Sequence, residues 1–217
     1  AIDAAPTNRV KPWLIFVKAG KYHEHIDIPK SKPYIHIIGQ DRNVVEIYDD
    51  RLSGGDNAVH VSLGATVVAH SDNLYFEGVN LVNSYGRDKN NGPQALALDT
   101  EGDRVVMNKV GLISYQDTWI TTSTSNNRHF IKNSWIEGAV DFIYGSSDIS
   151  GNVYFDNDTL NIVRKSGGYI VAPSHGSDVQ WGYVFMNNVI TAKGVTGVEK
   201  QPTELNCKPS EVSVWLG

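Results

Sequence analysis

The chain holds a single cysteine, Cys207, so no internal disulfide and no thiolate metal cluster can form. That lone thiol leaves the redox compartment open. Cations are too few for a general nucleic-acid binder: 19 Lys and Arg face 24 Asp and Glu, a formal net charge of −5. No apolar run approaches the ~18 residues a membrane-crossing helix needs. The opening Ala1-Ile2-Asp3-Ala4-Ala5-Pro6 lacks both the basic start and the apolar stretch of a signal peptide. Sustained helical periodicity is missing as well, apart from a turn near Ala1–Ala5. Ser174-His175 has no Gly-x-Ser-x-Gly elbow, no glycine-rich phosphate loop occurs, and His23-Glu24-His25 is not a zincin motif. What remains is a globular composition, 41% hydrophobic and 20% charged. At this length roughly 70% of the unfolded surface can be buried. No linker stands out, so residues 1–217 read as one domain.

Repetition is the strongest positive signal. Phe76-Glu77-Gly78-Val79-Asn80-Leu81 shares its spacing with segments that start at Met107, Ile131, Phe155 and Phe185. Each begins apolar, has Gly, Lys or Asn two places on, and Leu or Ile five places on. Successive starts differ by 31, 24, 24 and 30 residues, stretched where loops such as Arg87–Pro93 intrude. The local pattern is strand-like: Ile35-His36-Ile37-Ile38, Val59-His60-Val61 and Tyr183-Val184-Phe185 are short and rich in β-branched or aromatic residues. Short strands on a period in the mid-twenties predict an all-β solenoid whose coils bury their apolar positions by stacking. A β-sandwich with recurring strands is the alternative. Asn157-Asp158-Thr159 is a formal glycosylation sequon, but Asn157 holds the repeating turn position, where an inward or ladder amide is expected.

The repeat phase then picks out two carboxylates. Asp117 lies ten residues after Met107, and Asp141 ten residues after Ile131. Equivalent positions on stacked parallel strands are ~4.8 Å apart. Two negative charges at ~5 Å repel by about 3 kcal/mol at an effective dielectric of ~20, enough to keep one carboxyl protonated beside an ionised partner. An acid next to a nucleophile is a working arrangement for displacing an alcohol from an ester or a glycoside. A loop aspartate that merely caps a turn is the plainer reading of either residue.

Residues around the pair narrow the choice. Tyr115-Gln116-Asp117-Thr118 and Asp141-Phe142-Ile143-Tyr144-Gly145 resemble the Gln-Asp-Thr and Asp-Phe-Ile-Phe-Gly motifs of the pectin methylesterases. Gly92-Pro93-Gln94-Ala95-Leu96-Ala97-Leu98 is similar to that family's Gln-Ala-Val-Ala-Leu stretch, and Gly20-Lys21-Tyr22-His23-Glu24 to its Gly-x-Tyr-x-Glu element. All four occur in the family's order and run through most of the chain. The resemblance implies a right-handed parallel β-helix of the pectin-lyase-like type. It also implies hydrolysis of galacturonate C6 methyl esters in pectin, with no cofactor and no metal. Asp141 would then be the nucleophile, Asp117 the acid and later the base, and Gln94 and Gln116 the donors to the oxyanion. Spacing alone does not choose between the two aspartate roles, and Gln116 reads equally as a ladder amide between coils.

Trp119 stands where the family has Leu, and Tyr144 where it has a second Phe; each would line a sugar site or simply pack. Arg164 and Lys165 lie one coil beyond Asp141 and would meet the free carboxylates of pectin, or form a solvated surface pair. The family's Leu-Gly-Arg-Pro-Trp motif would begin at Leu216-Gly217, so the expectation is a fragment lacking both ends, with weak turnover if that Arg is absent. The expected partner is methyl-esterified homogalacturonan, with no nucleic acid and no membrane, acted on by a monomer. Since pectin lies outside cells, a secreted or periplasmic location is expected. Competing functions are a lyase or polygalacturonase-like enzyme on a similar solenoid, and a non-catalytic carbohydrate-binding solenoid.

Overall fold

The structure, a computed structural model, describes residues 1–56, 58–122, 126–146, 151–165, 167–176, 179–192, 194 and 214–216. Cys207 lies outside them. Strands β1 (Trp13–Val17), β2 (Gly20–His23) and β3 (Ile26–Ile28) make the first coil, followed by β4 (Ile35–Gly39), β5 (Val45–Asp49) and β6 (Ala65–Ala69). The third coil is β7 (Tyr75–Glu77), β8 (Asn80–Asn83) and β9 (Leu96–Thr100); the fourth is β10 (Val105–Asn108), β11 (Gly111–Ile113) and β12 (Trp119–Thr121). Then come β13 (Arg128–Lys132), β14 (Trp135–Gly138) and β15 (Val140–Gly145), and β16 (Asn152–Asp156), β17 (Thr159–Ile162) and β18 (Tyr169–Ala172). The described residues end on β19 (Tyr183–Met186), β20 (Val189–Thr191) and β21 (Val214–Leu216).

Up to β20, every third strand joins the same sheet. Sheet A runs β1-β4-β7-β10-β13-β16-β19-β21, sheet B runs β2-β5-β8-β11-β14-β17-β20, and sheet C runs β3-β6-β9-β12-β15-β18. All the pairings are parallel, as a coil that closes and climbs by one strand requires, and the fold is a parallel β-helix. The repeat read from the sequence is the register itself. Phe76, Met107, Ile131, Phe155 and Phe185 align across sheet A, and Leu81, Leu112, Ile136, Leu160 and Ile190 across sheet B. Most of these side chains are fully buried in one continuous core. Truncating one, as in Ile131→Ala, removes contacts with the coils above and below and typically costs 2–5 kcal/mol.

The residue two places after each repeat start makes the corner between sheets A and B. Gly78, Lys109, Asn133, Asn157 and Asn187 all have φ between 52° and 63°. Asn is at home in that left-handed region, which explains why the repeat selects it. Asn157 donates its amide to Asn133 Oδ1 at 2.8 Å, and Asn133 donates to Asn108 Oδ1 at 3.1 Å. The sequon asparagine is thus an exposed ladder amide and does not point inward.

Two local expectations fail. Val59-His60-Val61 is not a strand; it leads into the short helix α1 (Val61–Gly64) and is tied back by Val59 N donating to Leu52 O at 2.9 Å. The loop between β8 and β9 contains a second helix, α2 (Ser84–Lys89). Asn83 caps it, accepting from Tyr85 N and Gly86 N, and Asn90 ends it at φ 51°.

Candidate active site

Sheet C has two distinct faces. Its inward row is Ile26, Val67, Leu98, Trp119, Ile143 and Val171, and its outward row is Asp27, Val68, Asp99, Ile120, Tyr144 and Ala172. The turns from sheet B enter this sheet at one edge. There the fourth coil delivers Gln116 and Asp117 two to three residues before Trp119, and the fifth delivers Asp141 two residues before Ile143. Since Trp119 pairs with Ile143, Asp117 and Asp141 hold equivalent places on neighbouring rungs. Gln116 bridges Val140 in parallel, and Asp117 N donates to Val140 O at 3.0 Å.

Both aspartates are half-buried and both have left-handed backbones, at φ 61° for Asp117 and 48° for Asp141. Aspartate tolerates that region better than most residues. The kink has a consequence for packing: Phe142 and Ile143 both turn into the core, and the aspartate before them is left on the outside. The two carboxylates share an environment, because both act on the Tyr144 hydroxyl. Burial first, then the charges of Asp117, Asp99 and Asp141 and the nearby Tyr183, push that phenol well above its ordinary range. It therefore stays protonated and able to donate.

Gln94 and Gln116 enter sheet C on the third and fourth coils, at the same edge as the two aspartates. Ala95 N donates to Gln116 O at 3.2 Å, which sets the two segments side by side. Each amide side chain lies against a glycine: a β-carbon at Gly54 would overlap Gln94 Oε1, and one at Gly92 would sit 2.7 Å from Gln116 Oε1. A side chain at either position would force the facing amide to move. The sequence offers no sign of these partnerships, since Gly54 and Gln94 are joined only by coil stacking.

Trp119 requires a correction. It is fully buried in the inward row, donates Nε1–H to Thr100 Oγ1 at 3.0 Å, and packs edge-on against Phe155 and His129. It is a core residue and offers no face to a sugar; the outward position beside it belongs to Ile120. Arg164 and Lys165 are exposed in the turn between β17 and β18, one coil beyond Asp141. Neither makes an ion pair with a described residue.

A further carboxyl, not singled out from the sequence, lies in the same outward row. Asp99 is fully buried, with the Thr122 hydroxyl as a weak hydrogen-bonding neighbour that offsets only part of the cost of its charge. Burial, with a smaller contribution from the nearby Glu101 carboxylate, pushes it up to about 7. Glu101 is itself 2.5 Å from His70 Nδ1. Folded Asp99 thus keeps its proton through the range where an unfolded aspartate, near 4, has lost it. The folded state binds more protons there, so the stability tied to this carboxyl is present below pH 4 and lost as the pH climbs to 7. Asp99→Asn should leave Tm unchanged at pH 4 and raise it by several degrees at pH 8, read by thermal unfolding at both pH values.

Among the described residues, the cluster with metal-ligand spacing is His23, Asp49 and Asp50, at the ends of β2 and β5 on the first two coils. Arg51 Nε already holds Asp49 Oδ2 at 2.7 Å.

The pectinesterase family model matches residues 1–201. The chain belongs to the pectinesterase family. It is 34% identical over 201 residues to pectinesterase 1 of Olea europaea, covering 89% of this chain and 52% of that protein. The pectinesterase of Ralstonia solanacearum is 30% identical over 222 residues, with 89% and 55% covered. Among solved structures, the pectin methylesterase from carrot superposes with a TM-score of 0.77 at 26% identity, covering 88% of this chain and 58% of that one. A pectin methylesterase in complex with a hexasaccharide gives a TM-score of 0.74 at 26% identity, with 88% and 60% covered. The chain thus spans about half the length of the curated pectinesterases it matches.

Proposed function

We propose that the chain hydrolyses galacturonate C6 methyl esters in pectin, releasing methanol and leaving de-esterified homogalacturonan. The observation that carries this is the pair of aspartates on adjoining rungs, Asp117 and Asp141, at one sheet edge, with Gln94 and Gln116 entering the sheet at the same edge. An ionised carboxylate at Asp141 attacks the ester carbonyl carbon, and the carbonyl electrons move onto oxygen. Gln94 and Gln116 donate amide N–H groups to that oxyanion; neutral donors suit a charge developing beside two carboxyls. As the intermediate collapses, Asp117 gives its proton to the departing methanol. It then takes a proton from the water that attacks the acyl-enzyme, and Asp141 is released as carboxylate. The family motifs around each residue support this division of roles, which the geometry alone leaves symmetrical.

The Tyr144 hydroxyl is a donor on the outward floor beside the pair. The cations of Arg164 and Lys165 meet free carboxylates on the substrate chain one coil further on. The chain works as a single β-helical unit and a monomer, at a secreted or periplasmic location where pectin is accessible.

The test is the product spectrum from highly methylated pectin, with and without chelator. Methanol alone, insensitive to chelator, is the expected result. Unsaturated uronide or new reducing ends would instead identify a lyase or a glycosidase, and binding without any product a non-catalytic solenoid. The glycine wall gives a second check. Gly54→Ala should displace the Gln94 amide and lower kcat about 10²-fold, the usual cost of one lost oxyanion donor, with Tm little changed.

A further inference from the structure

Sheet A carries a solvent-facing strip that the carboxylate pair does not use. Its register sets Val106, Phe130, Tyr154 and Val184 in one outward row. The Phe130 and Tyr154 rings lie 5.8 Å apart at 45°. Where the chain returns from sheet C to sheet A, Trp181 stands 61% exposed and Tyr154 41% exposed. Together with Arg128, Asn152 and Val184 they line a cavity of about 370 Å³. Single exposed aromatics are ordinary, but a tryptophan and a tyrosine converging on one hollow beside an arginine are a constellation.

The chemistry of that constellation selects a ligand. A pyranose ring presents an apolar C–H face that stacks on aromatic rings, and its rim is polar. Arg128 is 64% exposed at the lip and binds Asp103 through Nε at 3.0 Å and Nη2 at 2.6 Å, leaving its Nη1 group to an outside acceptor. Asp103 also accepts from Arg104, which in turn reaches Asp72 at 3.8 Å, so this one carboxylate is shared by two guanidinium groups. A guanidinium with a spare edge matches the carboxylate of a uronic acid. The strip is one residue wide, bounded by the polar row Glu77, Asn108, Lys132 and Asp156. That outline fits a linear chain better than a second protein, whose stable interfaces need roughly 800 Å² per side around an apolar centre.

We infer that this hollow is a second, non-catalytic binding site for a galacturonate unit of pectin, stacked on Trp181 and Tyr154 with its carboxylate on Arg128. The identity of the sugar rests on the pectin substrate proposed above. On the polymer, such a site would hold the enzyme on its substrate between turnovers and raise the effective concentration of esters at the sheet C edge.

The experiment labels the chain with 5-fluorotryptophan, assigns the Trp181 resonance with Trp181→Phe, and titrates trigalacturonate. The expected result is a saturable shift of that resonance, about tenfold weaker in Arg128→Gln, and weaker again for the fully methylated trimer when it is titrated into Asp141→Asn, which does not hydrolyse it. Asp141→Asn should leave the titration as it is in the native chain. An unmoved resonance, or one indifferent to Arg128→Gln, overturns the inference. So does a shift that depends on protein concentration without sugar, which would mean a second copy of the chain occupies the strip. Methanol release from highly methylated pectin is followed with the same protein preparations: a saturable trigalacturonate shift without methanol from pectin supports this site and removes only the catalytic proposal.

Discussion

Asp141→Asn should lower methanol release from methylated pectin by at least about 10⁴-fold, with substrate binding and Tm little changed. A covalent nucleophile has no substitute at the site, and removing one from a working constellation typically costs this much or more, ~5.5 kcal/mol in the barrier. Asparagine is the informative replacement because it keeps the shape and tolerates the left-handed backbone at φ 48°. Alanine would confuse loss of the nucleophile with relaxation of the kink that holds Phe142 and Ile143 inward. Steady-state kinetics with a methanol readout, beside thermal unfolding of both proteins, checks it.

Asp117→Asn should cost about 10²- to 10⁴-fold, the usual range for a positioned acid or base. Its signature differs from that of Asp141→Asn. An acid matters most when the leaving group is poor, so an ester of a more acidic alcohol should escape much of the penalty on the first step. The second step still needs a base for water. Asp117→Asn should therefore give a burst of the activated alcohol followed by slow turnover, whereas Asp141→Asn should give no burst with either ester. This contrast separates two roles that the matched positions of the residues leave interchangeable. The reverse pattern would exchange the assignments.

Much of this was legible in the amino-acid order because the solenoid writes its register into the chain. Phe76, Met107, Ile131, Phe155 and Phe185 must all be apolar to fill one interior column, and the corner after each must accept a left-handed backbone. The aspartates inherit the same phase, which is why counting from Met107 and Ile131 found them. For Trp119 the sequence leaves a sugar-lining side chain and ordinary packing both open, since an aromatic where the family has Leu suits either. Strand alternation in line with Leu98 and Ile143 decides its side, and that side is the core. Val59-His60-Val61 has strand-like residues, but its backbone partners lie in the loop at Leu52 rather than in a sheet. Helix α2 is six residues long with no apolar stripe, so only the Asn83 cap betrays it. Gly54, Gly92 and Asp99 were invisible for a common reason: their importance comes from what neighbouring coils press against them.

A double-mutant cycle on methanol release tests most directly whether Asp117 and Asp141 act as one pair. Groups that work as a unit give strongly non-additive losses. The double variant Asp117→Asn/Asp141→Asn should be no slower than Asp141→Asn alone, because the proton donor has nothing to serve once the nucleophile is gone. Losses that multiply, with each residue contributing independently of the other, would contradict a shared site.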